Sequence, residues 1–417
     1  MNAKRLFLAS RIALITTAMC FGYRANAVGF WANDFHLTHE QLGWVNGTAF
    51  WGFTLAMMFG GPLCDAIGLG RILTIAWVGH LVGIFLSIFA WDFWSLYIGT
   101  LFFGIANGSV EAACNPLVAT LFPKDKTTKL NHFHVWFPGG IVISGILAYF
   151  MEKLGFGWKA EFATMLIPLA VYGFLFIGQP FPQTDRVQRG VSTGSMWLAC
   201  INPLFLLMVV CMLMTAFTEL GSTTWIPNIL TTAGVPGILV LAWINGLMAV
   251  GRQSAGTVVH KLSPLGVLLT SSVLGFIGLY SMSHSSGVML YVSATIFALG
   301  VCFFWPTMLG YVNERFPDTG ALGLAVMGGA GMLSVGVFLP LVGGIFDKGI
   351  ALRMPAGQTQ AALAAAPAGS SLANQWSHIQ AAAGLDMLGH IALLPIILFV
   401  IFLVLKLTQH KHSAPKA

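Results

Sequence analysis

Long apolar stretches separated by short polar connections dominate the chain. A helix needs about 20 mostly apolar residues to cross a bilayer. Twelve stretches of roughly that length are predicted to be membrane-spanning helices: 8–31, 40–62, 70–91, 93–121, 131–151, 160–182, 196–219, 236–260, 263–283, 287–311, 319–346 and 386–407.

Two connections are longer than the others and suggest how the chain is divided. Residues 183–195 join spans six and seven, so we expect one six-helix bundle over 1–182 and a second over 196–417. Residues 347–385 are rich in Ala, Gly, Pro and Ser, which predicts an external loop that is partly disordered or carries a short helix.

The composition supports a membrane protein and disfavours several other classes. Of 417 residues, 57% are hydrophobic and only 8% are charged, against about 25% charged in soluble proteins. The net charge of +6 does not indicate a nucleic-acid partner, because the basic residues stand singly in short loops. The six cysteines show no metal-ligand spacing, and neither a phosphate-binding glycine loop nor a catalytic triad pattern is present. We therefore predict an all-α membrane protein without catalytic activity, metal or cofactor.

The distribution of basic residues predicts the orientation. With the N-terminus in the cytoplasm, 14 of the 20 Lys and Arg fall in cytoplasmic segments and two lie inside spans. Only four fall outside: Lys153, Lys159, Lys348 and Arg353. Positive residues favour the cytoplasmic side, so both termini are expected there, in a bacterial inner membrane.

The two predicted halves carry a weak internal repeat. The second span contains "WVNGTAFWGF" (44–53) and the eighth contains "WINGLMAVGR" (243–252). Trp, Asn and Gly recur at a constant offset, and a Pro in span four has a counterpart in span ten. Such duplications are typical of transporters built from related halves.

The loop after span two points to a family. Residues 60–73 read "GGPLCDAIGLGRIL", with Gly61, Leu63, Asp65, Gly68 and Arg71 close to the places they hold in the signature loop of the major facilitator superfamily. The resemblance implies that superfamily's fold, two pseudo-symmetric six-helix bundles, and a transporter that works by alternating access. It also implies a conformational gating role for Asp65 and Arg71.

Two groups within the superfamily resemble the chain, and both remain open at this point. Arg24, Asn26 and Glu111 match the anion:cation symporters, which move sugar acids and other carboxylates. Asn131 and His134, in "KLNHFHVWFPGG" (129–140), match the fucose:proton symporter-like sugar porters, as does the "GR" pair that includes Arg252.

Arg24 is a candidate substrate-binding residue on physical grounds as well. It lies within an apolar run, where insertion of an Arg costs roughly 2.5–3.5 kcal/mol. A fixed, always-charged guanidinium suits a bidentate carboxylate. Its partner is expected to be Glu111, Glu219 or the substrate, with the substrate replacing an acid and water on binding.

Glu111 is the main candidate for proton coupling. Asn107, Glu111 and Asn115 are spaced four residues apart and share one helix face. A carboxyl in an apolar setting takes up a proton more readily than one in water. The further coupling candidates are Glu219, near the outer end of span seven, and His134. A structural ion pair of Glu111 with Arg24 or Arg252 is the alternative.

The remaining candidates complete the predicted site. Substrate binding is also assigned to Asn26 and Asn115, polyol binding to Trp243, Asn245 and Trp305, and a conformational role to Arg252. We predict a monomeric, proton-coupled symporter of a sugar acid or other organic carboxylate in the lipid bilayer. The alternatives are a neutral-sugar:proton symporter and, less favoured, an exporter or a channel. Sodium is the alternative coupling ion.

Overall fold

The computed structural model describes residues 2–122, 126–183, 198–253, 258 and 261–413, leaving out the side chains of Asp65, Asn131 and a few other helical residues. Regular structure in this part of the chain is helical. The first half contains α1 (Ala3–Asp34), α2 (His39–Ile67), α3 (Leu69–Ile88), α4 (Phe93–Leu121), α5 (Lys126–His134), α6 (Trp136–Lys153), α7 (Trp158–Thr164) and α8 (Leu166–Phe176).

The second half begins with a helix that contains a π turn. Its elements are α9 (Pro203–Ala216), the π turn Phe217–Gly221, α10 (Ser222–Thr232), α11 (Gly237–Gln253), α12 (Pro264–Ser283), α13 (Val288–Val301), α14 (Phe304–Arg315), a 3-10 turn Pro317–Thr319, α15 (Gly320–Ala351), α16 (Gln360–Ala364), α17 (Ser371–Ile391) and α18 (Leu393–Ser413).

Most of these helices are long enough to cross a membrane. Ten helical segments of the described chain have the required length and apolar composition. The 29-residue α2 and the 17-residue α11 bring the number to twelve, consistent with the prediction. α5 with α6, α7 with α8, α9 with α10, α13 with α14 and α17 with α18 each form one interrupted span. The protein is an integral, multi-pass membrane protein.

Two predicted boundaries are wrong. The seventh span does not end at 219 but continues to Thr232, because the π turn lets the helix pass Gly221 without breaking. The last helical segment begins at Ser371, inside the stretch predicted as a loop. There the side chain of Ser370 accepts a hydrogen bond from the Ala373 amide, and the Ala-rich sequence beyond favours a helix.

The repeated tryptophans and asparagines occupy matching environments. Trp44 on α2 and Trp243 on α11 are both nearly half exposed on the outside of the bundle. Asn46 and Asn245 are both buried, and each donates its amide to the carbonyl four residues earlier, at 3.2 and 3.0 Å. The duplication read from the sequence therefore corresponds to equivalent local structure in the two halves.

Small residues allow close packing between helices, both within a half and between halves. A Cβ on Gly104 of α4 would come within 2.2 Å of the Ala49 carbonyl oxygen on α2. Across the halves, a Cβ on Gly43 would meet the backbone of Pro340 on α15 at 2.5 Å. Small residues at helix contacts are the usual means of close approach in membranes.

The halves also meet through polar contacts at one end of the bundle. We call the end that carries residues 35–38 the distal end, and the end that carries the termini the terminal end. At the distal end, the Asp347 carboxylate of α15 accepts the backbone N–H groups of His39 and Glu40 at 3.2 and 3.0 Å. The His39 ring lies 2.7 Å from the same carboxylate. Asp347 thus serves as an anionic cap for the N-terminus of α2, supplied from the other half.

Candidate functional site

A cavity lies between the two halves. The first half contributes residues of α1 and α6, and the second contributes residues of the π turn, α10 and α11. Most of the lining residues are apolar, and the polar ones all belong to the second half. The lining residues are Phe21, Ala25, Phe137, Ile141, Glu219, Leu220, Thr223, Thr224, Leu241, Asn245, Met248 and Arg252.

Glu219 and Arg252 form an ion pair in the wall of this cavity. An Nη2 of Arg252 lies 3.3 Å from Oε1 of Glu219, and its Nε donates to the Cys302 carbonyl at 3.2 Å. Glu219 is only 6% exposed, and its Oε2 accepts no hydrogen bond from the described protein atoms. The sequence suggested separate roles for these residues, and the fold brings them together.

The π turn gives Glu219 its position. It spans Phe217–Gly221 in the middle of the helix that runs from Pro203 to Thr232. π turns insert one extra residue into a helix and are frequent at functional sites. Gly221 packs directly on the Phe217 ring, where a Cβ would come within 2.6 Å. Glu219 therefore lies near the middle of its span, whereas the sequence predicted a position near the outer end.

Arg24 is buried next to the cavity but is not part of its lining. Its guanidinium is 1% exposed and lies over the rings of Phe21 and Phe50, at 5.1 and 5.4 Å. The Cys20 thiol contacts it, whereas its Nε and Nη1 have no hydrogen-bond partner among the described atoms. Phe21 and Ala25, on either side of Arg24 in α1, do line the cavity.

Neither acid expected to pair with Arg24 does so in this conformation. The ion pairs among the described residues do not involve Arg24, and Glu219 is bonded to Arg252. Glu111 instead accepts the Asn115 amide at 2.8 Å, and Asn115 in turn lies 2.9 Å from Nε2 of His134. Three of the predicted residues, Glu111, Asn115 and His134, thus form one hydrogen-bonded chain.

Asn107 shares the helix face of Glu111 but has different partners. Its Oδ1 lies 2.8 Å from Nε2 of His80 on α3, and Nδ1 of His80 lies 2.8 Å from the Tyr172 hydroxyl on α8. All three side chains are fully buried. This network of Asn107, His80 and Tyr172 was not predicted, since one His in α3 and one Tyr in α8 carry no spacing signal.

Asn26 faces away from the cavity. Its amide donates to Glu152 at 2.8 Å and to the Glu161 carboxylate at 3.2 Å. Glu161 is fully buried, and the sequence analysis missed it. The available signal was an acid at the start of a span, in "WKAEFA" (158–163), a place where an exposed interfacial acid is more common.

The other predicted residues lie apart from the cavity lining, except Asn245. The indole of Trp243 donates to Thr295 at 2.8 Å on the outside of the bundle. Trp305 is partly buried and packs against Gly331 of α15. Arg71 is exposed at the start of α3, and the side chain of Asp65 lies outside the described residues.

Comparison with known proteins settles the family. A model described as the Major Facilitator Superfamily matches residues 12–339. The chain belongs to this superfamily. Its fold agrees, because a structure entitled "Crystal Structure of A Bacterial Homolog to Human Lysosomal Transporter, Spinster, in Inward-facing And Unoccupied Conformation" superposes with a TM-score of 0.77 at 15% identity. That match covers 100% of this chain and 99% of the other.

Relatives in the superfamily are transporters, not enzymes. The D-xylose transporter of Levilactobacillus brevis is 29% identical over 165 residues, 38% of this chain and 35% of that protein. The 3-(3-hydroxy-phenyl)propionate transporter of Escherichia coli (strain K12) is 26% identical over 293 residues, 63% of this chain and 68% of that protein. The chain thus spans about a third of the length of the xylose relative.

The superfamily's signature loop has a physical role in the backbone. Gly68 ends α2 and begins α3 with φ of +91°, a conformation that residues with a side chain rarely adopt. Its N–H donates to the Cys64 carbonyl at 3.0 Å and so closes the end of α2. In the stretch of the second half that follows span eight, residues 256–257 and 259–260 lie outside the described residues.

Proposed function

We propose that this protein is a secondary transporter that carries a small organic carboxylate across the membrane by alternating access. The observation that carries the proposal is Arg24. Two nitrogens of its buried guanidinium have no acceptor among the described protein atoms, and residues on either side of Arg24 in α1 line the inter-half cavity. A buried, unpaired cation costs several kcal/mol, on the order of 3. An anionic substrate group that reached Arg24 would offset part of this cost and be held bidentately.

Coupling to protons is proposed through buried acids. Glu111 is 7% exposed and bonded only to neutral groups among the described atoms, so it can exchange a proton without breaking an ion pair. Glu219 shares its wall of the cavity with Arg252, and a proton on Glu219 would release that pair. The sodium alternative predicts transport that depends on sodium and not on pH. The bilayer is the protein's environment, and a monomer in a bacterial inner membrane is the simplest assembly.

A neutral-sugar transporter is the second candidate, favoured by the similarity to the D-xylose transporter. The two readings differ in what they require of Arg24. A carboxylate needs its guanidinium fork, whereas a neutral sugar leaves Arg24 as a structural residue.

Binding to the purified wild type and its Arg24→Lys variant tests the proposal. The probes are matched acid and neutral pairs: D-galactonate with D-galactose, D-xylonate with D-xylose, and 3-(3-hydroxyphenyl)propionate with its amide. A ligand of the native state raises the unfolding temperature. We expect one of the acids to bind best, and Arg24→Lys to weaken it at least tenfold, about 1.4 kcal/mol.

The control is Arg353→Lys, since Arg353 pairs with Asp386 far from the cavity. It should bind the same acid as the wild type does. If a neutral sugar binds best, and binds Arg24→Lys normally, the carboxylate proposal fails and the sugar reading replaces it.

A further inference from the structure

The polar groups on the two sides of the cavity differ in kind. In the wall formed by the second half, Thr223 and Thr224 donate their hydroxyl hydrogens to the carbonyls of Glu219 and Leu220, at 2.8 and 2.7 Å. Asn245 donates to the Leu241 carbonyl at 3.0 Å. Both Thr hydroxyl donors and one of the two Asn245 amide donors are therefore used within their own helices.

Among the described residues of this wall, the buried acceptor without a donor is Glu219 Oε2. Arg252 balances the charge of the carboxylate through Oε1, and Oε2 is buried without a donor among the described protein atoms. A buried acceptor without a donor costs roughly 1–3 kcal/mol. A hydroxyl group on a ligand in the cavity would supply the missing donor.

On the side of the cavity formed by the first half, the buried polar groups are donors. Arg24, beside the cavity in α1, has two buried nitrogen donors with no acceptor in the part of the chain that the structure describes. The rest of the lining consists of phenyl and aliphatic side chains, including Phe21, Phe137 and Leu241. The complementary ligand has an acceptor at one end, a hydroxyl donor at the other and an apolar carbon body between them.

We infer that Glu219 is a specificity-determining residue that accepts a hydrogen bond from a hydroxyl group of the substrate. The substrate is then a hydroxylated carboxylate with an apolar body rather than a polyhydroxylated sugar acid. This inference rests on the proposed function, since the carboxylate end is assigned to Arg24. A site built to bond a hydroxyl discriminates strongly against analogues that lack it, because its own acceptor is then left unpaired.

Three ligands that share one carboxylate and differ at one ring position test the inference. They are 3-(3-hydroxyphenyl)propionate, 3-phenylpropionate and 3-(3-methoxyphenyl)propionate, with D-galactonate as the sugar acid. Dissociation constants are measured on the purified, full-length protein. We expect the wild type to bind the hydroxylated acid at least tenfold more tightly than the other three.

Glu219→Gln should remove this preference. Arg252 has only donors to offer, so it will hold the amide oxygen of Gln and leave the amide N–H groups facing the cavity. An amide N–H donates to a methoxy oxygen as readily as to a hydroxyl oxygen, so the ratio of hydroxyl to methoxy affinity should fall at least tenfold. Thr408→Val, which removes a hydroxyl bonded within α18 at an exposed position outside the cavity lining, should leave that ratio unchanged.

The outcomes separate this inference from the function on which it rests. If hydroxylated and unsubstituted acids bind equally well and still need Arg24, the hydroxyl subsite is refuted and the carboxylate function stands. Tightest binding of D-galactonate also overturns the inference. If none of the four acids binds, both proposals fall. A folded Glu219→Gln variant whose preference matches the wild type refutes the role of Glu219 directly.

Discussion

Arg24 illustrates how a charged residue is tolerated at a buried position when its partners are incomplete. Contacts of a cation with aromatic faces contribute about 0.5–2 kcal/mol each, so Phe21 and Phe50 offset part of the insertion cost. The rest of that cost remains, because Nε and Nη1 of Arg24 have no acceptor among the described residues. A group that alternates between this state and one with a bound anion contributes to transport, because a ligand shifts an equilibrium only through different contacts in the two states.

The buried network of Tyr172, His80 and Asn107 yields a prediction about stability. Tyr172→Phe keeps the ring but removes the hydroxyl from the buried His80, leaving one ring nitrogen without a partner. We expect a loss of about 1–3 kcal/mol in the free energy of unfolding, measured by denaturant titration in detergent.

Tyr280→Phe is the matched control, because Tyr280 is half exposed on α12. It should change the free energy of unfolding by less than about 0.5 kcal/mol. Equal stabilities for Tyr172→Phe and the wild type would show that the network does not contribute.

Among the helices, α4 combines two separate polar clusters on one face. Asn107 faces His80, whereas Glu111 and Asn115 form a chain with His134 at the start of the fifth span. The shared face was predictable from the spacing of four residues. The sequence could not predict that Asn107 and Glu111 have different partners, because the partner depends on which neighbouring helix lies beside each turn of α4.

The helix α4 carries the prediction on coupling. Glu111→Gln keeps an oxygen that can accept the Asn115 amide, so the geometry should survive, but the side chain can no longer exchange a proton. In proteoliposomes we expect loss of uphill uptake driven by a pH gradient, with counterflow of the same substrate at least partly retained.

Glu314→Gln, at an exposed position near the end of α14, serves as the control and should leave both activities intact. Unchanged accumulation in Glu111→Gln would remove Glu111 from the coupling mechanism and leave Glu219 as the candidate.

Sequence reasoning worked where a residue's own neighbourhood in the chain decides its place, and failed where a distant helix decides it. The spans follow from apolar length, and the position of Arg24 inside α1 follows from the run around it. The π turn at 217–221 has no such signal, because nothing in the stretch "FTELG" marks the insertion of one residue into a helix. The burial of Glu161 depends on Asn26, 135 residues away, and the capping of α2 depends on Asp347 in the other half.

At the scale of the whole molecule, the contacts between halves determine what has to move. At the distal end, Asp347 binds the start of α2, and Gly43 lets α2 and α15 approach closely. Rocking of the halves about the cavity would have to break these contacts before the distal end could open. If that end faces outward, as the charge distribution predicts, the contacts close the cavity to the outside.

The orientation is the last prediction. Fourteen of the 20 basic residues fall in segments assigned to the cytoplasm, and α15 ends at the distal end, so residues 352–370 should be external. A reporter active only in the cytoplasm should be inactive when fused at residue 367 and active when fused after residue 417.

As a matched control, a fusion at residue 286, in the α12–α13 connection, should behave like the one at 367, because both connections lie at the distal end. Activity at all three points, or at none, would contradict a bundle whose last span returns the chain to the cytoplasm. Activity at 286 and 367 alone would keep the helices but invert the protein, and the contacts of Asp347 would then close the cavity to the cytoplasm.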